Sequence, residues 1–378
     1  MTRPVHGGNL AWAATLAGCP ASAILDFSAS ISPLGPPESA LAAIQAHLSS
    51  LTAYPDPDYG ELRTALGEAL NVDPDWILPG NGSAELLTWA AWDLSKLEAT
   101  YLVTPAFGDY SRALLAFGAK VIKCPLDLQL LDAESGSRLV MDDLSVSNRS
   151  LVSASFRLPV PLALDAADRG LLLNNPHNPT GLLFGRQAIL PYVKQLGMVV
   201  VDEAFMDFLP PSEQETLIGA VEEFPNLVIL RSLTKFYSLP GLRMGCAIAH
   251  PDILRRWQLR RDPWPVNALA AAAAAAVVRD AAFERQTWDW LPVARFELFE
   301  GLANLPGLQP FAGAANFLLV ESSVSVSSIQ KSLLERHRIL IRDCLSFPEL
   351  GDRFFRVAVR SRAENLRLIA GLADVISR

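Results

Sequence analysis

The segment LRSLTKFYSLPGLRMG, Leu230 to Gly245, sets one lysine in a mostly apolar run, with an arginine eight positions later across a Pro-Gly break. Hydroxyl residues crowd that lysine: Ser232, Thr234, Tyr237 and Ser238 flank Lys235. A lysine carried into an apolar interior loses hydration, so it must shed its proton, find a counter-charge or react. Three further segments hold residue types that could work with it. ILPGNGSAEL puts glycines ahead of Ser83 and then helix formers, so Gly82, Ser83 and Ala84 could give N–H and hydroxyl donors to a phosphate at a helix start. The same pattern also suits a plain capped turn. LLLNNPHNPTG closes an apolar run with Asn178 and Pro179. VVVDEAF closes another with Asp202, a carboxylate that either caps the next segment or faces a cation.

These pieces make one joint demand. A ligand with a phosphate for Ser83, Ser232 and Arg243, a cationic ring nitrogen for Asp202 and an aldehyde for Lys235 meets all of it, and pyridoxal 5′-phosphate (PLP) carries all three. Lys235 would join the aldehyde as a Schiff base. Asp202 would keep the ring nitrogen protonated, Asn178 would donate to the phenolic oxygen, and Phe107 in TPAFGDY would stack on the ring. Arg243 would return to the phosphate past the Pro-Gly turn.

Such groups need a sheet to carry them. From about Gly80, short apolar runs alternate with helical segments: TYLVT, AKVIKC, GLLLNN, GMVVVDEA, NLVILRS and RMGCAIAH are strand candidates. Runs apolar on both faces and separated by helices predict an α/β fold, a mainly parallel sheet covered on each side. Ligands in such sheets sit beyond the carboxyl ends of the strands, where the motifs above fall. After Pro251 the pattern changes to long helices followed by ANFLLVE, ILIRD and FFRVAVR, which reads as a smaller α+β lobe. The expected organisation is an N-terminal segment (1–50) that contributes to the small domain and the active site, a large domain (51–262), and a helical connector with a C-terminal small domain (263–378). Residues 126–169 carry few clear signals.

Composition fits this class. The 378 residues are half hydrophobic and 19% charged, with a net charge of −8, which argues against a nucleic-acid surface. Four cysteines lie far apart without a CxxC pair, and the N-terminus has no apolar core of a secretory signal, so a reduced cytoplasmic protein is expected. No metal-ligand set is read from the sequence. The longest apolar run, Ala268 to Val278, has eleven residues, against about 20 needed to span a bilayer. It reads as a packed alanine-rich helix, and no membrane partner is expected.

The ordered motifs G-N-G-x-x-E, N-P-H-N-P-T-G, D-E-A-F and S-x-T-K-x-x-x-x-P-G-x-R-x-G, running from Gly80 to Gly245, resemble the fold type I PLP enzymes of the class I/II aminotransferase group. The resemblance implies a homodimer with shared active sites, in which Tyr54 of YPDPDYG reaches the cofactor phosphate of a second subunit. The flanks HGGN, LDFSASISPLGPP, DPWPVNALA and FFRVAVRSRAEN resemble the branch of that group that decarboxylates threonine phosphate for cobalamin synthesis. By that likeness Arg356 holds the substrate carboxylate, with Arg360 the second candidate, Arg342 and His6 hold the substrate phosphate, and Gly8 and Asn9 of HGGN also bind the substrate. Asn178 is shared between cofactor and substrate. The neighbouring histidinol-phosphate aminotransferases share the core motifs but usually have a tyrosine where Phe205 meets the cofactor. Serines stand at 30 and 32 where the group usually has asparagines, and Ser32 is the one expected near the substrate. Two alternatives stay open on sequence: an aminotransferase for a phosphorylated substrate that uses 2-oxoglutarate, and a PLP-binding protein without turnover.

Overall fold

The computed structural model describes residues 3–4, 6–128, 152–153, 158–161 and 166–377. Most of the irregular stretch 126–169 lies outside them. The main sheet has seven strands: β1 (Ile77–Asn81), β2 (Ala99–Thr104), β3 (Val121–Pro125), β4 (Arg169–Asn174), β5 (Met198–Asp202), β6 (Leu227–Ser232) and β7 (Met244–Ala249). Their order is β1-β7-β6-β5-β4-β2-β3. All pairings are parallel except those of β7, which runs antiparallel to β1 and β6. The six strand candidates of the sequence are β2 to β7. The seventh, β1, was read only as a glycine turn because Pro79 and Gly80 weaken a strand pattern. It tolerates Pro79 because it is the edge strand, paired on one side alone.

The strands are apolar on both faces, and their side chains alternate between two separate cores. Val199, Val201, Ile229 and Ile248 face one core, covered by helices Gly60–Leu70, Arg186–Val193, Ala268–Val277 and Ala281–Ala303. Val200, Val228, Leu230 and Ala247 face the other, covered by helices Gly82–Leu94, Gly108–Ala116 and Pro251–Gln258. The alanine run forms the helix Ala268–Val277, its N-terminus capped by Asn267, whose Oδ1 accepts from the Ala270 N–H at 2.8 Å. None of the described helices is long and apolar enough to cross a membrane.

A second, antiparallel sheet holds β8 (Leu308–Pro310), β9 (Phe317–Ser322), β10 (Arg342–Asp343) and β11 (Phe354–Ala358) in the order β8-β9-β11-β10. The N-terminal chain joins this part of the molecule, because Leu25–Asp26 pairs in parallel with Ile339–Leu340.

The alternation continues past the ends of β5 and β6. Asp202 and Ser232 fall on one face, Glu203 and Arg231 on the other. Arg231 is buried between Glu203, at 3.1 Å, and Asp207. Burial pushes both acids toward the neutral form and the Arg231 charge opposes it. Arg231→Met is therefore expected to cost about 3–5 kcal/mol, because it leaves buried carboxylates without their cation. Denaturant unfolding measures this, and an unchanged midpoint would remove the ion cluster from the account of stability.

Candidate active site

The carboxyl ends of β4, β5 and β6 open into a cavity of about 200 Å³. Asp202, the last residue of β5, lies beside Asn174, the last of β4. Its carboxylate is held at both oxygens: the Tyr110 hydroxyl donates to Oδ2 at 2.8 Å and the Ala204 N–H to Oδ1 at 3.0 Å. Burial raises its pKa, and these two bonds and the Lys235 charge pull it back down. Burial and the adjacent Asp202 charge raise the Tyr110 phenol well above its usual value, so Tyr110 is a neutral donor.

After Ser232 the chain turns into the one-turn helix Leu233–Phe236, which carries Lys235 into the cavity. The lysine's ammonium is disfavoured by burial first, then by the Arg356 and Arg243 charges, with Asp202 opposing; its pKa falls to about 8. This answers the question posed by a lysine among apolar residues: at neutral pH about a tenth of it is a neutral, nucleophilic amine, against about one part in 3,000 for an ordinary lysine.

Ser83 and Ala84 open the helix Gly82–Leu94 and line the same cavity. Gly82 has φ +72°, and a Cβ there would lie 2.6 Å from the Arg243 Nη2, so the guanidinium rests against the helix start. A Cβ on Gly245 would lie 2.6 Å from the Ser83 nitrogen, so β7 passes as close as only glycine permits. Arg243 itself takes the left-handed conformation, φ 59°, uncommon for a residue with a side chain. The Ser232 and Thr234 hydroxyls lie 2.8 Å apart at the same end. The arrangement gathers helix N–H groups, hydroxyls and a cation around one point and could hold a phosphate.

On the far side Arg356 of β11 reaches in. It donates to Asn178 Oδ1 and, at 3.5 Å, to the Ser28 carbonyl, and its guanidinium lies 4.7 Å over the Phe317 ring. Burial, followed by the Arg342 charge, lowers its pKa to about 10. Phe205 stands edge-on to Phe317 at 5.1 Å, Phe107 makes a T-shaped contact with Tyr110 at 5.7 Å, and His6 tilts against Phe107 at 5.5 Å with Nε2 3.7 Å from Asp109.

The cavity thus gathers Ser83, Ala84, Phe107, Asn178, Asp202, Phe205, Ser232, Lys235, Arg243, Arg356 and His6. Arg342, Gly8 and Asn9 line a small recess next to it; His6, Gly7 and Ser28 form walls of both. In that recess Arg342 donates to Ser346 Oγ at 2.6 Å, Gly8 N–H donates to Ser28 Oγ, and Asn9 caps helix Leu10–Ala17. Two expected residues lie elsewhere, and Tyr54, expected to reach a second subunit's site, sits on the surface. Ser32 does not line the cavity, and its hydroxyl accepts from the Leu34 N–H. Arg360 is paired with Glu364 at 2.8 Å and donates to the Asp26 carbonyl. Tyr54 is 78% exposed and stacks on Trp264 at 4.2 Å.

Several lining residues escaped the sequence reading, Tyr110 and Ser30 among them. Tyr110 follows Phe107 by three residues at the start of a helix, a spacing that puts both on one face. Ser30 was noticed only as a departure from the usual asparagine, yet it is among the residues that line the cavity.

A family model described as "Aminotransferase class I and II" matches residues 22–372 of the chain. The chain is 38% identical to the threonine-phosphate decarboxylase of Salmonella typhimurium, across 98% of this chain and 96% of that protein. It is 31% identical to the histidinol-phosphate aminotransferase of Symbiobacterium thermophilum, across 90% and 87% of the two chains. The fold is shared with the crystal structure of L-threonine-O-3-phosphate decarboxylase from Porphyromonas gingivalis, at a TM-score of 0.77 and 24% identity over 94% of this chain and all of that one. With the motifs in order along the chain and met at one cavity, the conclusion is direct: the chain belongs to the aminotransferase class I and II family.

Proposed function

We propose that the chain decarboxylates L-threonine O-3-phosphate to (R)-1-amino-2-propanol O-2-phosphate and carbon dioxide, with PLP as cofactor, in cobalamin synthesis. The identity to the Salmonella typhimurium enzyme over almost the whole of both chains supports the reaction. The observation that carries the substrate is the pairing of Arg356 with Arg342 across β10 and β11. One cation serves the cavity and the other the recess beside it, which suits a small substrate with two anionic groups.

The residues present fit PLP. The helix start at Ser83, the Ser232 hydroxyl and the Arg243 guanidinium form a phosphate cradle with no room for a Cβ at Gly82. Asp202 offers a carboxylate to a protonated ring nitrogen, Asn178 an amide to the phenolic oxygen, and Phe107 and Phe205 apolar walls. When bound, PLP supplies a carbonyl for amines and a ring that takes up the electron pair of the bond broken at the substrate's Cα. The chain's own part is orientation and proton control. Arg356 would hold the α-carboxylate and Arg342 with His6 the phosphate, and two anchors fix which bond at Cα stands in line to break. Loss of carbon dioxide consumes one proton at Cα, which Lys235 in its ammonium form, protonated from solvent, would deliver.

Arg342→Ala is expected to weaken threonine phosphate at least about tenfold, as loss of a charge-assisted bond does, while threonine changes little. Equal losses for both ligands would take Arg342 out of the phosphate site. A homodimer with Tyr54 reaching the partner's cofactor phosphate, a cytoplasmic location and the division at residues 50 and 262 belong to the same reading.

A product assay tests the reaction. Purified holoprotein given threonine phosphate should release carbon dioxide and aminopropanol phosphate without any keto acid. No carbon dioxide, with amino transfer from histidinol phosphate to 2-oxoglutarate instead, would replace this reading with the aminotransferase one.

A further inference from the structure

The recess beside the active-site cavity holds an acid where the reading above puts a phosphate. Arg342 and Asp343 are neighbours on β10, and both line the recess with Pro4 and the His6–Asn9 stretch. Asp343 is only 4% exposed, and it is the one carboxylate among the described residues of that lining. Left bare, it would repel an anion and compete with it for the Arg342 guanidinium.

A residue from the start of the chain meets that acid. Arg3 donates through Nε to Asp343 Oδ2 at 3.0 Å. Its other two nitrogens reach Ser327 Oγ at 3.1 Å and Gln330 Oε1 at 2.5 Å, both on helix Val326–His337. Gln330 is itself held, since its Nε2 donates to the Ile341 carbonyl at 2.9 Å and to Asp343 Oδ2 at 3.1 Å. The Leu345 N–H donates to the other oxygen, Asp343 Oδ1, at 3.3 Å. The chain that delivers Arg3 is anchored a short way on. A Cβ on Gly7 would lie 2.3 Å from the Ser28 carbonyl oxygen, and the Gly8 N–H donates to Ser28 Oγ. The three charges sense one another. Burial lowers the Arg342 pKa first, the Asp343 charge opposes that shift, and the Arg3 charge adds to it.

We propose that Arg3 is a positioning residue for the substrate's phosphate, acting through Asp343: it cancels that carboxylate and leaves Arg342 to the anion. The inference rests on the substrate reading above, which puts the phosphate in this recess. A plain clasp on the N-terminal segment is the rival role, and the two differ in what Asp343 does. For a clasp, Asp343 is the anchor, so losing either residue breaks it. For a neutralising cation, Asp343 is the obstacle, so losing both residues restores the site. The Arg3 side chain is 35% exposed, so its replacement removes a charge without opening the core.

Calorimetry on the holoprotein with isopropyl phosphate separates the two roles. This ligand keeps the phosphate end of the substrate and lacks the amine and the carboxylate. Arg3→Gln should weaken it about tenfold, the size of one uncompensated charge near the anion. Asp343→Asn alone should not weaken it. Arg3→Gln combined with Asp343→Asn should return to within about twofold of the wild type, the non-additivity expected of two groups that act on each other. Four results overturn the assignment: unchanged affinity in Arg3→Gln, a loss in Asp343→Asn as large as that in Arg3→Gln, a double variant no better than Arg3→Gln, or a wild type that does not bind isopropyl phosphate. Turnover of threonine phosphate by the wild type, assayed on the same preparation, keeps the two readings apart. Decarboxylation without this pattern overturns only the role of Arg3; the pattern without decarboxylation overturns only the proposed reaction.

Discussion

Replacing Lys235 by alanine is expected to abolish decarboxylation, a loss of at least about 10,000-fold, since one side chain serves as covalent anchor and as proton carrier. The structure gives the reason for such a large effect. The lysine is buried beside two arginine charges, and its pKa of about 8 leaves about a tenth of the amine neutral at neutral pH, far more than in an ordinary lysine. The sign of this shift has its own consequence. A lowered lysine pKa means that the neutral nucleophile becomes the major form above about pH 8, not above the 10.5 of a free lysine. Reloading of the apoprotein with PLP, followed by absorbance, should therefore accelerate as pH rises through about 8 and level off beyond it. Activity of the alanine variant at the wild-type rate would refute the catalytic assignment, and a loading rate still climbing at pH 10 would refute the electrostatic one.

Asp202→Asn is expected to be the second most damaging change, about 100- to 1,000-fold in kcat, the size typical of removing one preorganised electrostatic contact. Asparagine keeps an oxygen for the Tyr110 hydroxyl or the Ala204 N–H and nearly the same shape, so the loss tests the charge rather than the packing. The change also has a readout away from turnover. Asp202 is the group that opposes the lowering of the Lys235 pKa, so the variant apoprotein should show that pKa below about 8. The pH dependence of amine labelling at Lys235 measures it. A pKa that stays put would mean that the two groups do not sense each other, and a full kcat would remove Asp202 from the chemistry.

How much of this was legible in the sequence follows from what each signal encodes. Apolar runs closed by Asp202, Ser232 or an asparagine told both the strand and its carboxyl end, because a sheet buried on two faces admits polar groups only where a strand stops. Six strands were therefore readable, five of them buried along their length and β3 a half-exposed edge, whereas β1 was not, since Pro79 and Gly80 hide a strand whose one-sided pairing is a property of the whole sheet. Within a motif, neighbours are fixed by the chain itself, so Ser232, Lys235 and Arg243 could be assigned to one place. Between motifs they are not. That Tyr110 meets Asp202 across 92 positions, or that Ser30 rather than Ser32 faces the cavity, depends on how separate segments dock. Arg360 shows the same limit from the other side: it shares a strand-like pattern with Arg356, but Glu364, one helical turn into the next element, takes its charge. The weakly patterned stretch 126–169 falls mostly outside the described residues, and its role was not read from sequence either.

The most direct test of the account concerns the amine of Lys235. Reduction of the PLP-loaded protein with borohydride, followed by proteolysis and mass spectrometry, should yield a pyridoxyl-phosphate mass addition on the peptide that carries Lys235 and on no other. A protein that remains unlabelled, or a label found on a different lysine, would contradict the account at its centre.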